Sequence, residues 1–195
     1  MSNFKLMLAS TSRYKQQQLQ QLKLPFEICD PHVDEDHSRS DNAEQLAMLL
    51  AAQKAEAVSS QFPEHWVIGS DQTAITADGY MLNKPLNKEK AFEQLSLCQG
   101  QSCYFYSAVS LINKALDARQ CWSIKTEVNF RDLSAAEIQR YIELDDPLYC
   151  AGSFKIESLG ISLFKSVRSD DPSALIGLPL LSLCNQLRHA GFALP

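Results

Sequence analysis

Apolar and polar positions along the chain sort into short strands and amphipathic helices. Phe4 to Ala9 alternates and then runs apolar, which predicts a first strand. The hydroxyl-rich turn Ser10-Thr11-Ser12 follows, and a polar helix is predicted from Arg13 to about Lys23, carrying Leu19 and Leu22. Pro25 to Cys29 predicts a second short strand, and Asp30 to Asp36 is an acidic loop with neither period. From Ala43 to Phe62 the pattern predicts a long helix. Its apolar stripe includes Leu46, Leu50 and Val58, spaced by multiples of four, and Pro63 ends it. Trp66-Val67-Ile68 predicts a short buried strand that runs into Gly69 and delivers Asp71. Asp78-Gly79 between two alternating runs predicts a hairpin, whose returning strand leads to Asn83-Lys84-Pro85.

Lys88 to about Leu97 predicts a helix with Ala91, Phe92 and Leu95 on one face, ended by Gly100. Tyr104 to Ile112 and Cys121 to Phe130 predict two long strands, rich in β-branched and aromatic residues. Ser134-Ala135-Ala136-Glu137 is a capping box that opens a helix through about Leu144. Ile161 to Val167 predicts a further strand. Asp170-Asp171-Pro172 marks a helix entry, Gly177-Leu178-Pro179 interrupts it, and an apolar helix continues to about His189.

A length of 195 residues bounds the chain to one large domain or two small lobes around a shared core. A net charge of -5 argues against a general binder of phosphate backbones and leaves room for a local basic pocket. No apolar run approaches the ~20 residues that span a bilayer. The start lacks the apolar stretch of a signal peptide, so the default expectation is cytoplasmic. Six cysteines lie far apart without a Cys-x-x-Cys pair, and four histidines lack metal-site spacing. In a reducing compartment such cysteines act as small, partly buried hydrophobes.

Several polar residues break the pattern and carry the candidate chemistry. Gly69 allows close backbone approach or unusual dihedrals where the strand delivers Asp71. Asp71 either caps a turn or sits at the mouth of a cleft, where α/β sheets bind ligands. A hydroxyl turn between a strand and a helix is a phosphate-cradling arrangement, because a helix N-terminus offers unpaired N–H groups. Arg13 and Lys15 set cations there against the dipole, which makes sense if an anion arrives. The plainer reading is a Ser12 N-cap with solvated charges. Lys54 falls inside the apolar stripe, four residues from Leu50 and from Val58, and must snorkel, pair or point into a cleft. A hairpin at Asp78-Gly79 would return Lys84 towards Asp71, placing a carboxylate and an ammonium at one mouth. In the acidic loop, Glu35 is either solvated or available to a divalent cation that takes oxygen ligands. Phe154, after the small residues Ala151-Gly152-Ser153, either stacks on a base or fills the core.

Taken in order, these stretches resemble the Maf family of nucleotide pyrophosphatases, and within it the subfamily acting on 7-methyl-GTP. The likeness covers nearly the whole chain. It rests on Leu8-Ala9-Ser10-Thr11-Ser12, Val33-Asp34-Glu35, Lys54-Ala55 and Ile68-Gly69-Ser70-Asp71-Gln72. It continues through Lys84-Pro85, Phe130-Arg131-Asp132-Leu133-Ser134, Cys150-Ala151-Gly152-Ser153-Phe154-Lys155 and Gly177-Leu178-Pro179-Leu180. The resemblance implies a single domain over residues 1–195, with an α/β fold like that of inosine triphosphate pyrophosphatases. That fold is a two-lobed mixed sheet with flanking helices around a central cleft. The implied reaction is hydrolysis between the α and β phosphates of a nucleoside triphosphate, giving a monophosphate and pyrophosphate.

By the same resemblance Asp71 takes the catalytic acidic position, with Lys54 and Lys84 as catalytic partners. Ser10, Arg13, Tyr14, Lys15, Gln72 and Glu157 are the expected substrate-binding residues. Gln72 and Glu157 match positions tied to base choice, and Tyr14 matches the aromatic position linked to the methylated base. Glu35 and Asp71 are the expected ligands of a divalent metal cofactor, Mg²⁺ or Mn²⁺. The expected partner is a nucleoside triphosphate, with no nucleic acid and no membrane; a homodimer is left open. One departure stands out. The family usually has a proline and then arginines after the Ser-Thr-Ser turn, whereas Arg13-Tyr14-Lys15 has no proline and a lysine where an arginine is expected. Lysine is a point charge and cannot make the bidentate fork to phosphate. A nucleotide-binding regulator with weak or no catalysis is therefore the alternative, and a cysteine-dependent hydrolase is a weaker one.

Overall fold

The computed structural model describes residues 5–36 and 39–195. The predicted strand start at Phe4 and His37, one of the four histidines, lie outside them. Lys5–Ala9 forms β1, Arg13–Gln20 α1, Glu27–Ile28 β2, Ala43–Ser59 α2 and His65–Thr76 β3. β1 pairs in parallel with both neighbours, Met7 opposite Glu27 and Leu8 opposite Ile68. Parallel pairing needs a long crossover, which α1 and α2 supply. Lys88–Cys98 (α3), Ser102–Asn113 (β4), Ala118–Phe130 (β5), Ala135–Asp145 (α4), Phe164–Ser169 (β6) and Leu180–His189 (α5) complete the order. The strands form one sheet, β2-β1-β3-β4-β5-β6, which is mixed because β5 and β6 run antiparallel. The α/β class expected from the sequence is the class found.

The chain divides into two units. The first is Met1–Asp71, Ser107–Ile124 and Asp171–Pro195; the second is Gln72–Tyr106 and Lys125–Asp170. In the first unit the strand period of two divides the core cleanly. Leu6, Leu8, Trp66 and Ile68 pack with Leu19 of α1 and with Leu183 and Leu187 of α5. The intervening Met7, Ala9 and Val67 pack with Ala55 and Val58 of α2. Both faces of these strands are covered, as parallel strands require.

In the second unit Phe105, Phe130, Phe154 and Phe164 meet edge to face with ring centroids 4.8–5.9 Å apart. Phe154 therefore fills the core. Gly152 lies at φ +74°, and a Cβ there would come within 2.6 Å of the Phe105 ring. That glycine lets the Ala151–Ser153 turn close on the aromatic cluster. The predicted capping box is present: Glu137 N–H donates to Ser134 Oγ at 3.3 Å, and Ser134 N–H donates to Glu137 Oε2 at 2.8 Å.

Three expectations need correction. The strand expected to stop near Gly69 runs on to Thr76, 12 residues in all, so Asp71 sits within β3 and not at its end. The returning arm of the hairpin is one bridge, Ile75 opposite Met81, and no full strand forms. Thr76 closes that turn through its side chain, donating to Asp78 Oδ1 at 2.5 Å and accepting from Tyr80 N–H at 2.9 Å. Ile161 to Leu163 belongs to a 3₁₀ turn, and the strand begins at Phe164. Arg131 fixes that turn, its Nε donating to the Ser162 carbonyl at 2.7 Å and its N–H to the Leu163 carbonyl at 3.0 Å. An apolar run of this length suits either form. Among the described residues no helix is long and apolar enough to cross a membrane.

Candidate active site

Gly69 explains how α2 reaches the sheet. A Cβ there would lie 2.2 Å from the Ala51 carbonyl oxygen and 2.6 Å from Ala55 N, so the helix backbone passes directly over the strand. Of the two readings of this glycine, close approach is the one realised. Ala51 and Ala55, both fully buried, leave the same space open from the helix side. The neighbour of Ala55 is Lys54, and the residue two beyond Gly69 is Asp71. Helix and strand are thereby held so that these two side chains meet.

They meet with Glu35. The Lys54 ammonium lies 2.6 Å from Asp71 Oδ1 and 2.6 Å from Glu35 Oε1. Lys54 is 7% exposed and Asp71 6%, while the Glu35 side chain keeps 34% of its surface. Among the three outcomes open to a lysine on an apolar stripe, pairing is realised. Burial pulls the Lys54 pKa down, but the charges of Asp71 and Glu35 and their hydrogen bonds outweigh it, so the net shift is upward. The ammonium stays charged throughout the neutral range.

The peptide before Asp71 is held from α1. Lys15 Nζ donates to the Ser70 carbonyl at 2.6 Å, and Ser70 Oγ donates to the Gly177 carbonyl at 2.9 Å. Gln18 braces the same loop: its Nε2 donates to the Ser173 and Leu178 carbonyls at 2.8 and 3.0 Å, and its Oε1 accepts from Leu178 N–H at 2.9 Å. Gly177 lies at φ +127°, and a Cβ there would press on Lys15 Cε at 3.3 Å. Ser10 is buried just past Ala9, the last residue of β1 paired with β3, and its Oγ accepts from Ser12 N–H at 3.2 Å. Ser12 stands at the N-cap of α1, but its side chain makes no capping bond. Arg13 is exposed there, and Tyr14 and Lys15 are half-buried.

The second unit carries the other expected residues. Gln72 is half-buried on β3, whereas Lys84 and Glu157 are exposed. The strip that holds Lys84 is tied through its backbone. Gly152 N–H donates to the Leu82 carbonyl at 3.2 Å, and Gln94 Nε2 donates to the Asn83 carbonyl at 2.9 Å. Ser153 Oγ in turn donates to Gln94 Oε1 at 2.7 Å. A cavity of about 610 Å³ opens beside this strip, lined by Tyr80, Asn83, Lys84, Lys90 and Phe92 among others.

The pattern of the family described as Maf-like protein matches residues 5–190 of this chain. The chain belongs to the Maf family. It is 44% identical over 190 residues to the 7-methyl-GTP pyrophosphatase of Pseudomonas aeruginosa, covering 97% of this chain and 98% of that one. It is 48% identical over 196 residues to the 7-methyl-GTP pyrophosphatase of Xanthomonas oryzae pv. oryzae, covering 98% and 99%. With the protein of that name from Hahella chejuensis it shares 46% over 192 residues, covering 97% and 96%.

In this Maf family member, reading the sequence overlooked Gln18, Ser70 and Ser173, which shape the loop around the Asp71 peptide. Gln18 carried no local sign, because Gln20 flanks Leu19 equally and is exposed. Ser70 and Ser173 gave no signal either. The donor set suits a hard divalent cation only in part. Among the described residues no group of three or more His, Cys, Asp or Glu is gathered as a metal site. Glu35 and Asp71 fit such a cation as two carboxylates completed by water and phosphate oxygens, the usual manner of Mg²⁺. Three of the cysteines point away from nucleophilic work. The Cys98 thiol is driven well up by its hydrogen bond to Cys103 and by burial, and burial raises Cys121 and Cys184. An attacking thiol needs the reverse.

Proposed function

We propose that this chain hydrolyses the bond between the α and β phosphates of 7-methyl-GTP, releasing pyrophosphate and the nucleoside monophosphate. The observation that supports it best is the buried trio of Glu35, Lys54 and Asp71, held in place by the Gly69 contact. The near full-length relatives that bear the name of this activity point the same way. Asp71 positions the attacking water, either as the base that accepts its proton or as a ligand of the metal that orders it. Lys54 and Lys84 stabilise charge that develops on the phosphate oxygens, together with the turn from Ser10 to Lys15. Arg13 offers the guanidinium fork that Lys15 lacks. Glu35 and Asp71 would hold Mg²⁺ or Mn²⁺, which when bound neutralises phosphate oxygen charge and orders water.

The base is read by three residues. A 7-methylated guanine carries positive charge, so Tyr14 attracts it through a cation–π contact of roughly 0.5–2 kcal/mol. Glu157 accepts from the guanine edge and offsets its charge, and Gln72 supplies a neutral amide beside Asp71.

Purified protein with Mg²⁺ or Mn²⁺ should release pyrophosphate from 7-methyl-GTP, and Asp71→Asn should cut this release by about 10²–10⁴-fold. Equal turnover of all common triphosphates would remove the base preference and leave the reaction class. Tight nucleotide binding without metal-dependent product would replace the enzyme with a nucleotide-binding regulator.

A further inference from the structure

We propose that Lys54 is an internal counter-cation that occupies the metal position between Glu35 and Asp71 until a triphosphate draws it away. The inference rests on the pyrophosphatase reading above and concerns the order in which its parts assemble. Lys54 Nζ takes one oxygen from each carboxylate at 2.6 Å. Those are the two carboxylates to which a divalent cation would turn. Two negative charges and one positive leave the trio with a single negative charge, a poor lure for a dication. A dication sharing these oxygens would also stand within about 4 Å of the ammonium, where like-charge repulsion is several-fold stronger than in water.

The geometry provides a way out. The α2 backbone is locked against Gly69, so Lys54 can leave only by turning its flexible four-carbon stem. Glu35 sits in a segment without regular structure, and its side chain is one-third exposed, so the trio is open on that side. An arriving polyphosphate offers the ammonium new oxygens and brings the negative charge that makes room for a dication. Nucleotide and metal then enter together, and metal alone is refused. A bare carboxylate pair would instead hold metal whether or not substrate is present.

The test is direct binding of Mn²⁺, followed by titration calorimetry on the full chain. It is run without nucleotide and then with the α,β-methylene analogue of 7-methyl-GTP, subtracting the analogue's own chelation. For the wild type, the analogue should raise Mn²⁺ affinity on the order of tenfold or more. Lys54→Met should bind Mn²⁺ alone on the order of tenfold more tightly than the wild type, and should gain little from the analogue. A merely structural role for Lys54 would weaken metal binding instead. Equal or weaker Mn²⁺ binding by a folded Lys54→Met overturns the proposal. If Lys54→Met does not fold, Lys54→Gln keeps a neutral donor and carries the same expectation and the same reversal. Wild-type affinity that ignores the analogue also overturns it. Pyrophosphate release is scored separately. A gain in Mn²⁺ affinity without product supports the exchange while removing the reaction; product without that gain does the opposite.

Discussion

Lys54 and Lys84 bring the same ammonium into opposite surroundings. Lys54 is buried on a helix locked to a strand, and two carboxylates define where its charge sits. Lys84 is exposed on an extended strip whose backbone, at Leu82 and Asn83, is tied to the Gly152 turn and to α3. In the first case burial and two carboxylates place the charge; in the second the backbone is anchored and the side chain is exposed. A buried, paired ammonium is bound up with folding stability, because removing it strands two carboxylates. An exposed one contributes little to stability.

Substitutions can break or sharpen that contrast. The largest effect should come from Asp71→Asn, which keeps the shape of the buried trio and removes the carboxylate proposed to act on the water. Pyrophosphate release should fall by about 10²–10⁴-fold while circular dichroism is unchanged. Next comes the pair of lysines. Lys54→Met should destabilise the fold by about 3 kcal/mol in urea denaturation. Lys84→Met should shift stability by about 0.5 kcal/mol or less and still reduce turnover. Equal destabilisation by both would erase the distinction. Gly69→Ala drives a methyl into the α2 backbone and should cost about 1–3 kcal/mol, with activity lost alongside as Lys54 is displaced from Asp71.

The smallest effects are in the pH dependence, and the two signs differ. Lys54 has its folded pKa raised, so its stabilisation is complete below the ordinary 10.5 and disappears as pH rises through the higher folded value. The difference in melting temperature between wild type and Lys54→Met should therefore be flat near neutrality and shrink above pH 10.5. Glu137, bonded by Ser134 N–H and Oγ and by Arg131, is held down to about 2. Its contribution is complete above the ordinary 4.5 and fades as pH falls towards 2, where Glu137→Gln should approach the wild type.

Much of this was legible in the residues because each feature broke a period. Lys54 disturbs an otherwise apolar stripe, Gly69 weakens a strand, and Ser134 with Glu137 spells a cap. Each has a physical reason that acts over three or four residues. Pairing of Lys54 with Glu35 and Asp71 had no such local sign, because its partners lie 17 residues or more away along the chain. The length of β3 was also hidden. Ser70, Asp71 and Gln72 are poor strand formers, and tertiary packing overrides that preference. The aromatic cluster was half legible: Phe154 was assigned to base or core, and only packing against Phe105, Phe130 and Phe164 decides for the core.

The central claim is that Asp71 and its lysine act on the bond between the α and β phosphates, and product identity tests it most directly. After incubation of 7-methyl-GTP with the protein and Mn²⁺, chromatography should show 7-methyl-GMP and pyrophosphate in equal amounts. Release of orthophosphate with 7-methyl-GDP would contradict it.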